Sequence, residues 1–284
     1  MRGWWQDLTD LVLPAECAGC GRSRTVLCPA CRAALSGAGP SRVRPVPEPD
    51  GLPVVHAAAR YADEVRAVLL AHKERGALAL AAPLGAALAG AVRAGLRQAR
   101  NGGAGTPVLL VPVPSARAAV RARGHDPARR IALAAAGELR RDGLPVRVAG
   151  VLRQRRPVAD QAGLNSGQRL RNLAGALAVA PGGARLLREG RVVLVDDLMT
   201  TGASLAEAAR AVRAAGPISY DRATTAVYTA VTREGRGERA AGPVEREAGR
   251  TPGVPGTAGT AGVDDVIHAA VVAAPPDSFE INRN

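Results

Sequence analysis

Aromatic side chains are nearly missing from this chain. Its 284 residues include two Trp, three Tyr and one Phe, only 2% of the total. The core must therefore be built from Ala, Val and Leu. A surface that binds single-stranded nucleic acid mainly by stacking bases on rings is also disfavoured. Lysine is scarcer still: Lys73 stands alone among arginines. No span reaches the roughly 18 consecutive apolar residues of a membrane helix. The nearest, 77–92, is rich in alanine and interrupted by Pro83 and several glycines. Trp4, Trp5, Asp7 and Asp10 break up any signal-peptide core, so a cytoplasmic location is expected. No GxxxxGK[ST] string occurs, which excludes a Walker phosphate loop.

What is abundant is positive charge. The formal balance is +13, with 47% hydrophobic residues. Such a surface favours phosphorylated metabolites, nucleic acid or acidic membranes. The abundance of Arg, Ala, Gly and Pro also has the look of a high-GC coding bias, which raises arginine everywhere. The length allows one large or two unequal domains with ample core.

All four cysteines fall within residues 17–31, as Cys17-Ala-Gly-Cys20 and Cys28-Pro-Ala-Cys31. Two CxxC knuckles at this separation can close a tetrahedral thiolate site for structural zinc. Gly19 and Gly21 permit the tight turns of the first knuckle. A disulfide pair fits less well without a secretion signal, and a redox CxxC needs only one pair. Four thiolates leave no open coordination position, so no catalysis is expected there.

The chain is organised around Arg191-Val-Val-Leu-Val-Asp196-Asp197-Leu-Met-Thr200-Thr201-Gly202-Ala203-Ser204. Residues 192–195 suit a strand buried on both faces. Two carboxylates end it, and a hydroxyl-rich turn opens a helix over 205–215 that closes at Gly216-Pro217. A helix N-terminus leaves unpaired N–H groups and carries roughly half a positive charge, which suits phosphate. Thr200, Thr201 and Ser204 add donors, and Gly202 lets the backbone approach. The acids suit sugar hydroxyls or a divalent cation. Phosphate beside diol points to a ribose 5-phosphate. The plainer alternative is structural: Ser204-x-x-Glu207 is also a capping box.

Elsewhere, residues 4–13 have amphipathic helical spacing and 37–53 read as a Pro/Gly linker. A strand is expected over 54–60, helices over 61–71 and 77–98, and a loop over 101–106. Pro107 to Pro114 forms the next parallel strand, followed by Ser115, Arg117, Arg121, Arg123, Gly124 and His125. Arginines just past a strand's C-terminal end sit where open α/β sheets bind ligands. Lys73 either reaches a phosphate or ends a solvated helix. Residues 128–140 read as helix and 146–152 as strand. A hairpin over 218–232, a disordered insertion over 233–262 and a last strand over 264–274 complete the pattern, the last strand pairing with 192–195.

The stretch VVLVDDLMTTGAS resembles the 5-phosphoribosyl pyrophosphate (PRPP) motif of type I phosphoribosyltransferases. The double CxxC, the run Pro112-Val-Pro114 followed by Arg117, Arg121, Arg123 and Gly124, which looks like the family's PVPxxxxRxxxRGxN, and the Gln161, Leu164, Arg169, Asn172 spacing narrow the resemblance to the ComF family. These are competence-associated, phosphoribosyltransferase-like proteins. Three positions depart from the family's pattern. Glu74-Arg75 replaces an aromatic, His125-Asp126-Pro127 replaces an aromatic, Asn and Gln, and Gln168 replaces an acid.

The resemblance implies an α/β fold: a mainly parallel sheet with helices on both faces and a small hood. The zinc module and linker occupy 1–50, and the phosphoribosyltransferase-like domain occupies 51–284. It implies that Thr200, Thr201, Gly202, Ala203 and Ser204 hold the 5-phosphate and that Asp196 and Asp197 grip the ribose. Arg117, Arg121, Arg123 and Lys73 would face the pyrophosphate, with Mg²⁺ accompanying PRPP. Cys17, Cys20, Cys28 and Cys31 would hold zinc. No residue reads as an obligatory acid or base, so the acceptor stays open. The family's link to transformation adds an alternative, a non-catalytic accessory protein that binds a nucleotide, single-stranded DNA or a competence helicase.

Overall fold

The computed structural model describes residues 16–37, 39–98, 106–156, 166–216 and 267–279. The helix expected over 4–13, the loop at 101–105, Gln161 and Leu164, the hairpin over 218–232 and the insertion over 233–262 lie outside them.

Six strands form one sheet: β1 (Ser41–Val43), β2 (Val54–Arg60), β3 (Val108–Pro112), β4 (Val146–Val148), β7 (Arg191–Leu198) and β8 (Ile267–Ala274). Their spatial order is β1-β2-β8-β7-β3-β4. Every pairing is parallel except β1 with β2. A separate antiparallel pair joins β5 (Leu152–Gln154) to β6 (Leu177–Val179).

The central strands read as continuous apolar runs because both faces are covered. Alternate residues divide between two cores. Leu110 of β3 and Val193 and Val195 of β7 face one core with helices α1 (Pro29–Ser36), α2 (Asp63–Glu74), α3 (Ala81–Gln98) and α5 (Pro127–Arg141). Leu109, Val111, Val192 and Leu194 face the other. That second core holds α8 (Ala203–Arg213), together with Leu187 of α7 (Gly183–Leu187) and Leu152 and Leu177 of the small sheet. Two further short helices, α4 (Arg117–Arg123) and α6 (Ser166–Leu173), lie near the C-terminal ends of the strands and are taken up below.

With few rings to fill space, helices approach closely. A methyl added at Gly85 of α3 would stand 2.5 Å from Ala134 Cβ and 2.8 Å from the Ala135 nitrogen of α5. Gly85→Ala should gain about 1 kcal/mol of helix propensity yet lose more to overpacking, which costs about 1–3 kcal/mol. Thermal unfolding should show a lower midpoint; a higher one would mean that the two helices do not pack at this separation.

Three expectations need correction. The linker over 37–53 contains β1, an edge strand whose Val43 is buried and pairs with Val55. The single strand over 146–152 is two strands in different sheets. The Val151 N–H turns back onto the Ala149 carbonyl at 2.9 Å, next to Gly150, and redirects the chain. Finally, Leu78–Gln98 is helix throughout and by length and composition could cross a membrane, but 61% of its apolar window is buried in this fold. Pro83 falls in the first turn of α3, where a missing N–H costs nothing. One strand pairing agrees with the sequence: β8 lies beside β7, where Val192 is opposite Ile267 and Val195 opposite Ala270.

Candidate functional site

The sheet order creates a crevice. From β3 the chain moves outward to β4, then returns through β7 on the other side of β3 and continues to β8. The C-terminal ends of β3 and β7 therefore border the topological switch point, where open α/β sheets bind ligands. Pro112 is level with Val195 in this register, so the residues just beyond them meet at the crevice. On β7 these are Asp196 and Asp197. After β3 they are Pro114, Ser115 and the arginine-bearing α4.

The acids lie within β7 rather than ending it, since the strand runs on to Leu198 beside Ala273. Asp197 is buried and meets the only lysine: Lys73 Nζ lies 2.9 Å from its Oδ2 and 3.3 Å from its Oδ1. Asp196 is half-buried and accepts the Asp197 backbone N–H at 2.8 Å. Burial, and next the adjacent Asp197 charge, hold the Asp196 carboxyl well above its ordinary range, and Lys73 only partly offsets this. Burial works against the Lys73 charge, but the two carboxylates outweigh it and raise its proton affinity.

The last turn of α2 thus docks on the crevice, and its neighbours fix it there. Glu74 receives two bonds from Arg123, at 2.9 and 2.8 Å. His125 Nε2 lies 3.1 Å from the His72 carbonyl, and His125 Nδ1 lies 3.2 Å from the Arg123 carbonyl. Burial depresses the His72 imidazole. Glu74 ties α2 to the last residue of α4, and His125 ties it to the loop that follows. Lys73→Met leaves Asp197 buried without its cation. Because Lys73 is one-third exposed, the stability loss should stay at about 1–3 kcal/mol rather than the larger cost of a fully buried pair. Urea unfolding measures it; no change would show that Lys73 does not hold α2 on β7.

The turn after β7 has the geometry of an anion cradle. Gly202 caps α8 with a left-handed backbone, φ 74°, and no side chain caps the helix. The first N–H to find an intrahelical acceptor is that of Ala206, which bonds the Gly202 carbonyl at 2.9 Å. The N–H groups before it point out of the helix end. A Cβ at Gly202 would stand 3.1 Å from Leu52, so the turn also backs onto the segment before β2.

The capping box is not formed. Glu207 is buried, accepts the Leu177 N–H at 2.9 Å and bonds Arg210 at 2.7 and 2.8 Å. Burial opposes the Glu207 charge, but Arg210 and the Leu177 amide overcome it and lower the carboxyl's pKa. Glu207 thus fastens α8 to β6. Helix α6 comes over the turn, and Arg169 Nη1 donates to Thr200 Oγ1 at 3.3 Å.

The three predicted pyrophosphate arginines separate. Arg117 and Arg121 are one turn apart on α4 and line a cleft of about 350 Å³ that also includes Arg153 and Gln154 of β5. Arg123 is engaged by Glu74 instead. Asp126 caps α5, accepting the Arg129 N–H at 3.2 Å and the Ser115 N–H at 3.4 Å.

The four cysteines converge, with their Sγ atoms all within 4.8 Å of one another. Tetrahedral thiolate coordination at about 2.3 Å per bond needs sulfurs about 3.8 Å apart, and Cys20 and Cys28 lie at 3.7 Å. The Cys28 N–H points at Cys17 Sγ at 3.3 Å. Burial opposes ionisation of Cys17, yet backbone N–H groups of Cys28, Cys20 and Gly19 bring it down to about 6. Burial raises Cys31, which needs a bound cation to ionise. The set is positioned to hold a metal ion. Gly19 packs between Cys31 and Glu64 of α2, so the knuckle rests on the first turn of the helix whose last turn carries Lys73.

No family model matches the chain, and no curated protein does.

Sequence reasoning missed the places of four residues. Arg169 had no assigned place at the turn, Arg153 and Gln154 none at the arginine cleft, and Glu74 none at Arg123. The contacts of Arg169 and Arg123 span 31 and 49 residues. No local spacing encodes such pairs.

Proposed function

We propose that the chain is a phosphoribosyltransferase-like protein of ComF type that binds PRPP with Mg²⁺ and transfers ribose 5-phosphate to a nitrogen acceptor. One observation carries this reading. An acid pair and an uncapped, Gly202-initiated helix N-terminus follow each other on β7, beside the crevice where the strand order reverses. Thr200 to Ser204 would hold the 5-phosphate, with Arg169 adding a guanidinium beside Thr200. Asp196 and Asp197 would take the ribose hydroxyls, and Lys73 would balance their charge. Arg117 and Arg121 would receive the pyrophosphate. Mg²⁺, arriving with PRPP, would neutralise charge on the leaving group. The transition state builds positive charge on the ribose and negative charge on the pyrophosphate. Fixed guanidiniums stabilise the second, and a held 5-phosphate positions C1. The four-thiolate cluster is read as structural zinc, since all ligands are sulfur and none of the four positions is open.

Calorimetric titration of the zinc-loaded protein with PRPP and Mg²⁺, at two salt concentrations, tests the reading. Saturable binding at one site is the expected result. Absence of PRPP binding, with DNA affinity that falls steeply with salt, would replace it with the accessory DNA-binding role that the +13 charge permits.

A further inference from the structure

Two cations beside the acid pair are each held by a carboxylate, but the two pairs differ in kind. Lys73 and Glu74 are consecutive residues in the last turn of α2. Lys73 is paired with the buried Asp197 on the sheet. Glu74 holds the guanidinium of Arg123, the last residue of α4, through two bonds of 2.9 and 2.8 Å. The Arg123 charge is close enough to act on Lys73, where it opposes the ammonium. Arg123 is therefore the arginine that stands nearest the acids, whereas Arg117 and Arg121 line the cleft with Arg153.

The members of the second pair are unequally exposed. The Arg123 side chain is 21% exposed and that of Glu74 is 47% exposed. The carboxylate is the outer partner, so it returns to water at little cost while the guanidinium stays in place. The backbone does not depend on this pair. His125 spans the His72 and Arg123 carbonyls at 3.1 and 3.2 Å. Gly124, with φ 75°, closes α4 by donating its N–H to the Val120 carbonyl at 2.9 Å. Lys73 anchors α2 on β7 separately. Helices α2 and α4 thus stay docked when Glu74 lets go of Arg123.

Resting on the transferase reading, we propose that Glu74 is an internal competitor for the pyrophosphate end of the ligand. It holds Arg123 in the free protein, is displaced by pyrophosphate, and retakes the guanidinium as pyrophosphate leaves. A carboxylate presents two oxygens to a guanidinium fork, and so does a phosphoryl group, so the two are alternatives for the same donors. Pyrophosphate carries more charge than one carboxylate, which keeps the displacement favourable. Because the exchange swaps one charge-assisted pair for another, binding gains less from Arg123 than a free guanidinium would give. Release is eased by the same amount. Glu74 restores the pair as the anion departs, and Arg123 is not left uncompensated beside Lys73. Glu74 thereby sets the affinity for the substrate's pyrophosphate and for the pyrophosphate product together, with no covalent bond changed.

The full, zinc-loaded chain is titrated calorimetrically with inorganic pyrophosphate and Mg²⁺, with PRPP and Mg²⁺, and with ribose 5-phosphate, which has no pyrophosphate end. Glu74→Gln keeps the side chain's length and removes its charge. It should bind pyrophosphate about fivefold tighter, the fold-change of an exposed ion pair at the upper end of its range. Ribose 5-phosphate affinity should change less than about twofold. Arg123→Ala should weaken pyrophosphate about tenfold. Adding Glu74→Gln to it should bring no further gain, since the competitor then has nothing to compete for. Weaker or unchanged pyrophosphate binding in Glu74→Gln overturns the proposal. So does a gain that survives in the Arg123→Ala background, or one that ribose 5-phosphate shares, because either marks a general effect of charge. Pyrophosphate that binds neither the parent nor Glu74→Gln overturns it as well. If the Glu74 and Arg123 effects appear but neither PRPP nor ribose 5-phosphate binds, the transferase reading falls and the competition stands. If PRPP binds and Glu74→Gln changes nothing, the reading stands and the competition falls.

Discussion

Serine at both Cys17 and Cys28 should abolish metal binding and unfold residues 16–37. Each knuckle loses one ligand, and the remaining two thiols cannot close a tetrahedral site. Metal binding to such small modules contributes on the order of 10 kcal/mol to their folding, so this is the largest stability effect expected in the chain. The damage should not stay local. Cys28, Cys31 and Leu35 belong to the same buried cluster as Val68 of α2 and Leu88 of α3. Gly19 sits against Glu64 at the start of α2. Hydrogen exchange should rise over 16–37 first and over α2 next, and elemental analysis should find less than one zinc per chain. A double variant that keeps its zinc would refute the metal site. Cys20→Ser should be milder at the level of packing, because Cys20 is the one exposed member of the cluster.

The double substitution Asp196→Asn, Asp197→Asn should weaken Mg²⁺-dependent PRPP binding about 100-fold or more, as the charged hydrogen bonds proposed to both ribose hydroxyls are lost together. Unchanged binding would remove the ribose grip from these residues. Asp196→Asn by itself should have the opposite effect on stability. The folded-state pKa of Asp196 lies well above its unfolded value near 3.8. The native state therefore holds more protons than the unfolded state across that interval. Its contribution is fully present below the lower value and is lost as pH rises through the upper one. An asparagine keeps the bond from the Asp197 N–H but carries no buried charge. Stability at pH 8 should then rise by on the order of 1 kcal/mol, at the expense of ligand affinity. Denaturant midpoints at pH 5 and pH 8 measure this, and the gain should be larger at pH 8. A loss at pH 8 would mean that Lys73 fully compensates the pair.

Much of the architecture was legible because it rests on local patterns. The run Val192–Val195 is apolar and β-branched, so it had to be a strand covered on both faces. The four cysteines were readable as one site, since two CxxC knuckles at that separation can close around one ion. The strand ending at Ala274 needed an apolar neighbour and found β7. Those statements follow from side-chain period, propensity and ligand spacing within a few residues. The capping box shows the limit of such reasoning. Ser204-x-x-Glu207 satisfies the pattern, yet Glu207 gains more by reaching the Leu177 amide and Arg210 than by turning back to its own helix. The same limit explains β1 and the split at Gly150, where pairing with a distant edge outweighed a weak local preference.

The site divides the same way. Sequence alone determined which side chains were available: an acid pair, a hydroxyl-glycine turn, clustered arginines and one lysine. Tertiary structure decided who meets whom. Lys73 reaches Asp197 across 124 residues, Arg123 is drawn to Glu74, and Arg169 comes to Thr200. It also brought Arg153 and Gln154 to the cleft lined by Arg117 and Arg121. A charge fixes its partner only when the chain brings one within a few ångströms, and that proximity is settled by the order of strands in the sheet.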